Sequence, residues 1–261
     1  AQRDKLQKAS EQLSKYLSPQ ICEKIFSGAE FSSKSARKKL TIFFSDIVGF
    51  TTLSEQMEAE DLSSFLNFYL TNVCEIALKY GGTIDKFIGD SVMIFFGDPD
   101  TKGAKEDAIA CCQMAMEMLS FLENNQQHFQ DMYNFPEKLE IRVGIHNGLC
   151  NVGNFGSEQR LDYTAIGRTV NVAARLEQAA PKNSILVSSA IRNLIKNKFE
   201  TSSPIEVKAK GIDKPIPSYV LNRQEPQNTK VIKELDGLKL EYDPKKIDKN
   251  KLLEIISELE N

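Results

Sequence analysis

The sequence predicts an α+β fold with the split βαβ, ferredoxin-like (palm-like) order β-α-β-β-α-β. Three observations carry that prediction. Leu40-Thr41-Ile42-Phe43-Phe44 has the pattern of a buried strand. Residues 83–88 and 92–96 form two more apolar runs, separated by Gly89-Asp90, a pair that closes β-hairpins. Residues 60–80 and 104–124 repeat their apolar positions with helical period, and residues 139–145 alternate as a fourth strand.

In chain order, residues 1–17 read as a charged helix with Leu6, Leu13 and Leu17 near heptad spacing, which suits the end of a coiled coil. Ser18-Pro19 offers an N-cap followed by proline at the first helical position, so a short helix is expected over 19–26. Basic, serine-rich residues 32–39 read as a linker. The leader 1–38 is read either as a signal-transmission segment or as a solvated lead-in.

The main domain is assigned to 39–223. Its first helix, 60–80, carries Leu62, Phe65, Leu66, Tyr69, Val73 and Ile76 on one face and stops at Gly81-Gly82. The second, 104–124, carries Ile109, Met116 and Leu119 as core. Residues 126–137 read as a polar loop and 146–156 as a glycine-bearing stretch. A short strand over 160–166 follows, and then a helix over 169–179 that puts Asn171 and Arg175 one turn apart on one face. Residues 185–188 read as a strand, 189–196 as helical turns, and 205–209 and 218–222 as closing strands. The 224–261 extension reads as a type I′ hairpin around Asp236-Gly237, then a helix capped by Asp248 and bearing Leu252, Ile255, Ile256 and Leu259. A lone hairpin is marginal in water, so this extension is expected to dock or to fold with a partner.

With 261 residues, 41% hydrophobic and 26% charged, the chain has a globular composition. A net charge of −3 gives no reason to expect nucleic acid or an anionic membrane as a bulk partner. No apolar run is long enough for a membrane span, and no signal peptide opens the chain. It begins with Ala1, so a cytoplasmic piece excised from a longer protein is expected, and that parent can still be membrane-attached. Five cysteines without a CxxC pair fit a reducing compartment. His128 and His146 are not spaced as metal ligands and stand beside no nucleophile motif, which argues against zinc hydrolysis and triad chemistry.

The chemistry points to two acids. Asp46 follows the first strand directly, and Asp90 sits at the hairpin tip. Delivered by two rigid strand ends, their carboxylates make a seat for a hard cation such as Mg²⁺, which in turn holds phosphates. Either acid alone is also explained as a turn residue that satisfies nearby N–H groups.

Five motifs together resemble the catalytic domain of class III nucleotidyl cyclases. They are Phe44-Ser45-Asp46-Ile47-Val48-Gly49-Phe50-Thr51, Lys86-Phe87-Ile88-Gly89-Asp90, Val143-Gly144-Ile145-His146-Asn147-Gly148, Asp162-Tyr163-Thr164-Ala165-Ile166-Gly167 running on to Val170-Asn171-Val172-Ala173-Ala174-Arg175, and Val207-Lys208-Ala209-Lys210-Gly211. They span roughly residues 40–221 in the family's order. The resemblance implies conversion of ATP to 3′,5′-cyclic AMP and pyrophosphate by in-line attack of the ribose 3′-hydroxyl on the α-phosphorus, with two Mg²⁺ ions per site and Mn²⁺ as a substitute. By resemblance Asp46 and Asp90 hold the metals and Ile47 lends its backbone. Arg175 steadies the transition-state phosphoryl group, Asn171 positions the ribose, and Lys208 holds the terminal phosphate, with Lys210 close enough to leave that choice open. Taken alone, Arg175 also reads as a surface ion pair and Asn171 as part of a polar face.

Base choice follows from hydrogen-bond polarity. Adenine presents an acceptor at N1 and a donor at its 6-amino group, which Lys86 and the Thr164 hydroxyl match. Guanine reverses that polarity and would want an acid at position 86, so a guanylyl cyclase is the disfavoured enzyme alternative. A cyclase-like module that only dimerises should have lost part of the set, and here every member is present. Thr164 is similar to the subgroup that includes bicarbonate-responsive cyclases, so a bicarbonate effector is expected. The resemblance also implies a homodimer with sites shared between protomers, and an upstream sensor or regulatory domain in the full-length chain.

Overall fold

Residues 40–45 are buried without a break, so the strand containing them must be covered on both faces. The structure, a computed structural model, describes residues 12, 17–26, 35–133, 135, 138–207 and 215–222, together with the backbone of 231–235 and 238–242. The strand is β1, Ala36–Ile47, which starts inside the stretch read as linker. Its alternation divides the core. Phe43 and Ile47 face one layer with Val92, Ile94 and Phe96, whereas Leu40, Ile42 and Phe44 face the other with Met93 and Phe95.

The predicted order is present. After β1 come a short helix α2 (Phe50–Gln56), helix α3 (Ala59–Lys79), the hairpin β2 (Thr83–Ile88) and β3 (Ser91–Phe96), and helix α4 (Ala104–Asn124). Helix α1 (Pro19–Phe26) precedes them as expected, fastened by the Gln20 side-chain amide donating to the Gly82 carbonyl at 2.8 Å. Helices α3 and α4 bury Phe65, Tyr69, Val73, Met114 and Met118 against the first face.

Beyond the earlier start of β1 and the unforeseen helix α2, two longer stretches differ from the sequence reading. The expected polar loop after α4 is a helix, α5 (Gln126–Tyr133), because Phe129 is fully buried and meets Phe65, Phe68 and Phe121 edge-on. The glycine-bearing stretch, to which the sequence reading assigns no element, is extended. It continues the fourth strand into a 17-residue β4 (Ile141–Ser157). Its first half pairs with β1, and its second half pairs with β5 (Arg160–Ile166).

Helix α6 (Arg168–Ala179), strand β6 (Ser184–Ser188), helix α7 (Ser189–Ile195) and strands β7 (Ile205–Val207) and β8 (Ile216–Val220) complete the domain. The sheet runs β2-β3-β1-β4-β6-β8-β7, with β5 branching from β4. Among the described residues only the β4–β6 pairing is parallel. Helices of the split βαβ core share one face as predicted, and α6 covers the opposite face through Ala173. The tail hairpin is present as β9 (Val231–Leu235) and β10 (Leu238–Tyr242). Its turn residues, the expected 248–259 helix and the 1–11 and 13–16 segments of the leader lie outside the described residues. No described helix is long and apolar enough to cross a membrane.

Gly144 lets α6 lie directly on β4. A Cβ there would stand 2.1 Å from the Glu177 backbone nitrogen and 2.4 Å from the Ala173 carbonyl oxygen. Both obstacles are backbone, so no rotamer change relieves the clash. Gly144→Ala should lift the helix that carries Asn171 and Arg175 and cost about 2–3 kcal/mol, a value typical of overpacking. Urea denaturation monitored by circular dichroism checks this, and an unchanged midpoint would contradict the packing described.

Candidate active site

Two adjoining elements deliver the acids. Ser45 of β1 pairs with Val92 of β3, so the end of β1 lies beside the turn that joins β2 to β3. Gly89, at φ 66°, makes that turn tight, and Asp90 follows it immediately. The Ile47 backbone N–H donates to Asp90 Oδ2 at 2.8 Å, and Ser91 Oγ donates to the Ser45 carbonyl at 3.0 Å. Asp90 is left 8% exposed and Asp46 half-buried.

Burial raises the Asp90 carboxyl well above the usual range. The Ile47 N–H opposes that rise, while a hydrogen bond shared with Asp46 and the Asp46 charge add to it. The two carboxyl groups therefore converge. Two carboxyl groups placed together, one of them buried, fit a divalent cation, which would relieve both the desolvation and the repulsion of their ionised forms. No group of three or more His, Cys, Asp or Glu residues suited to a metal occurs among the described residues. The seat thus offers two acids, and its remaining ligands must be backbone, water or a phosphate, as hard cations accept. The Ile47 side chain is buried in the core, so only its backbone is available to the site.

Sequence reasoning missed Glu177. It sits on α6, 5% exposed, with Oε1 unpartnered. Its carboxyl is pushed up to about 7 by burial and then by Asp46, with Arg142 pulling the other way. Arg142 faces Asp46 across the β1–β4 ladder. The Glu177 position reads as a helix interior in the sequence, and nothing there signals a buried acid beside the pair.

A second cluster gathers around Thr164. Lys38 pairs with Asp98, and the Tyr163 hydroxyl donates to the same carboxylate, which ties β5 to β1 and the loop after β3. Thr164, 6% exposed, is thereby brought to β2, where its hydroxyl donates to Asp85 Oδ2 at 2.6 Å. Lys86 lies 3.2 Å from Asp85 Oδ1. The residues predicted to read the base are thus neighbours in space, joined by an acid that the sequence reading passed over. Burial raises the Asp85 carboxyl, and the contacts from Thr164, Lys86 and the Ala165 N–H counter it.

The remaining predicted residues stand apart. On α6, Asn171 is exposed and Arg175 half-buried, with Arg175 Nη1 donating to Gln178 Oε1 at 2.7 Å. Among the described residues neither bonds to the acid pair. Lys208 and Lys210 lie outside the described residues. His146 meets Ser188 Oγ at 2.8 Å, and burial, then Arg168, lowers it to about 4. It stays neutral, remote in role from the acids.

Residues 33–223 match the family model for the adenylate and guanylate cyclase catalytic domain. The chain belongs to that family. It is 48% identical to the adenylyl cyclase CyaB from P. aeruginosa, whose crystal structure superposes with a TM-score of 0.70 over 72% of this chain and 96% of that one. The guanylyl cyclase Cya2 is 30% identical, with a TM-score of 0.68 over 72% of this chain and 93% of its own. An adenylate cyclase of Anabaena cylindrica is 34% identical over 208 residues, 78% of this chain. The chain spans 39% of that relative's length. The palm-like α+β architecture of the class III cyclases is therefore the architecture found here.

The raised Asp90 carboxyl has a consequence for stability. Its pKa is higher folded than unfolded, so the native state binds the extra proton and stability falls as pH rises above the ordinary carboxylate range. Asp90→Asn should therefore stabilise the metal-free domain at pH 8 by about 1 kcal/mol. It should also abolish any rise in melting temperature on adding Mn²⁺. Calorimetry in chelator and in Mn²⁺ reads both effects, and a destabilised variant that still responds to the metal would contradict the paired-acid reading.

Proposed function

We propose that this chain is an adenylyl cyclase domain that converts ATP to 3′,5′-cyclic AMP and pyrophosphate. The observation that carries the reading is the Lys86–Asp85–Thr164 cluster, which sets a cationic donor beside a hydroxyl whose hydrogen is already committed. That leaves a donor and an acceptor side by side, the complement of adenine N1 and its 6-amino group. Guanine would meet a donor where it presents its own N1–H. The 48% identity to CyaB supports the same choice, and the likeness to Cya2 makes GTP the substrate to test against.

In the reaction the 3′-oxygen forms a bond to the α-phosphorus, and the bond from that phosphorus to the β-bridging oxygen breaks. The hydroxyl proton is released, and pyrophosphate leaves in line with the attack. Asp46 and Asp90, with the Ile47 backbone, would hold two Mg²⁺ ions, for which Mn²⁺ substitutes. Bound there, the metal supplies Lewis-acid stabilisation of the attacking oxygen and the departing phosphate charge. Asn171 orients the ribose from α6. Arg175, one turn on, offers a permanently charged planar fork to the equatorial oxygens of the transition state. Lys208 takes the terminal phosphate, with Lys210 as the alternative.

Asn171 and Arg175 do not meet the acid pair within one chain, which supports a site completed by a second copy. Phe87 at 44%, Ile88 at 58% and Leu161 at 56% exposure lie on β2 and β5, a surface suited to that copy. A C2 homodimer then carries two equivalent sites, each with acids from one protomer and base, ribose and phosphoryl contacts from the other. A sensor or regulatory domain elsewhere in the full-length protein fits the 39% share of the Anabaena relative that this chain spans.

Mixing decides the reading. Asp46→Ala and Asn171→Ala chains should each fall at least 100-fold below the parent and recover up to a quarter of its rate when co-assembled, with cyclic AMP identified by chromatography. Cyclic GMP as the main product, or no recovery in a verified heterodimer, would overturn the substrate or the shared site respectively. Bicarbonate at fixed pH is a further arm of the same assay, in which the expected effector raises the rate.

A further inference from the structure

In a regular strand neighbouring side chains point to opposite faces, so adjacent residues cannot pair. Strand β2 breaks that rule at one place. Thr83 faces Phe95, Ile84 faces Ile94 and Lys86 faces Met93, which leaves Asp85 as an extra residue in a β-bulge. The bulge is what lets Asp85 and Lys86 meet at 3.2 Å. The acid side chain is fully buried, while the lysine side chain remains 40% exposed and able to reach a ligand.

The other carboxylate oxygen accepts from the Thr164 hydroxyl at 2.6 Å and from the Ala165 N–H at 3.2 Å. Two donors thus converge on one oxygen of Asp85 and the Lys86 ammonium forms an ion pair with the other, and an ionised carboxylate can only accept. The Thr164 hydroxyl has one hydrogen, and the 2.6 Å bond claims it over a 3.5 Å approach to the Ala165 carbonyl. What Thr164 has left to offer a ligand is lone pairs. What Lys86 offers is hydrogen.

We propose that Asp85 is a specificity-determining positioning residue, which fixes Thr164 as an acceptor, holds the Lys86 donor beside it, and so selects a purine with an exocyclic 6-amino group. The inference rests on the adenine reading above and assigns its polarity to a residue that need not touch the base. A threonine hydroxyl by itself is ambivalent, able to donate or accept. With the buried carboxylate behind it, that ambivalence is gone. An asparagine at 85 offers both a donor and an acceptor, so it frees Thr164 to present its hydrogen outward and removes the charge that holds Lys86.

The test compares kcat/KM for ATP, GTP and purine riboside triphosphate, which keeps N1 but carries hydrogen in place of the 6-amino group. The parent should prefer ATP over this analogue by about tenfold, the effect of one hydrogen bond. In Asp85→Asn the ATP-to-analogue ratio should fall at least threefold toward unity, with the melting temperature and dimer mass recorded alongside. Thr164→Val should collapse the ratio in the same way, and adding Asp85→Asn to it should change the ratio no further. Asp85→Glu, which keeps the charge but displaces it, is the second variant and should also lower the ratio.

An equal loss for every nucleotide, with the ratio unchanged, would make Asp85 merely structural and overturn the proposal while leaving the adenine reading intact. Failure of both Asp85 variants to fold would overturn it in the same way. A parent that prefers ATP over GTP yet does not discriminate against the analogue would also overturn the proposal alone. A parent that prefers GTP would overturn both readings.

Discussion

Two carboxylates held against each other at the end of β1 are the constraint on which the rest of this domain depends. Asp90 cannot retreat, because a tight turn delivers it and the Ile47 N–H holds it. Nor can Asp46, because β1 is locked between β3 and β4 and covered by apolar side chains on both faces. The fold therefore maintains a local repulsion that no isolated hairpin could sustain. Interior packing is rigid enough to carry such strain, and sites of this kind are where proteins place perturbed acids.

The same sheet separates the tasks of the site. The acid pair sits at the junction of β1 with the β2–β3 turn, while the Lys86–Asp85–Thr164 cluster proposed to read the base is assembled where β5 meets β2. Helix α6 presents Asn171 and Arg175 from the other face of the sheet. Each group is positioned by secondary structure rather than by a long loop, which favours precision. In the proposed dimer, closure of the site is the same event as association of two chains. Any element that shifts that equilibrium then controls turnover, and α1, packed near Gly82 at the start of β2, is well placed to transmit such a shift.

Much of this was legible in the sequence, for physical reasons. Period and punctuation placed α3, α4 and the β2–β3 hairpin to within a residue or two, because each has a long apolar stripe or a glycine-bearing stop. The acid pair was legible because each aspartate directly adjoins a strand. What escaped was set by tertiary contact. Helix α5 looks polar, and a single buried aromatic, Phe129, decides it. The length of β4 was hidden by its glycines, one of which is required by the close passage of α6. Asp85 and Glu177 are invisible to pattern because the neighbours that matter are distant in sequence, at Thr164 for one and at Asp46 and Arg142 for the other. The bulge that turns Asp85 inward leaves no local mark.

Anomalous diffraction from crystals grown with Mn²⁺ and a non-cyclising ATP analogue tests the central claim most directly. The account predicts manganese bridged by Asp46 and Asp90 of one protomer, beneath a triphosphate whose adenine lies at Lys86 and Thr164 of the other. Manganese bound elsewhere, or a nucleotide contacting only one chain, would contradict it.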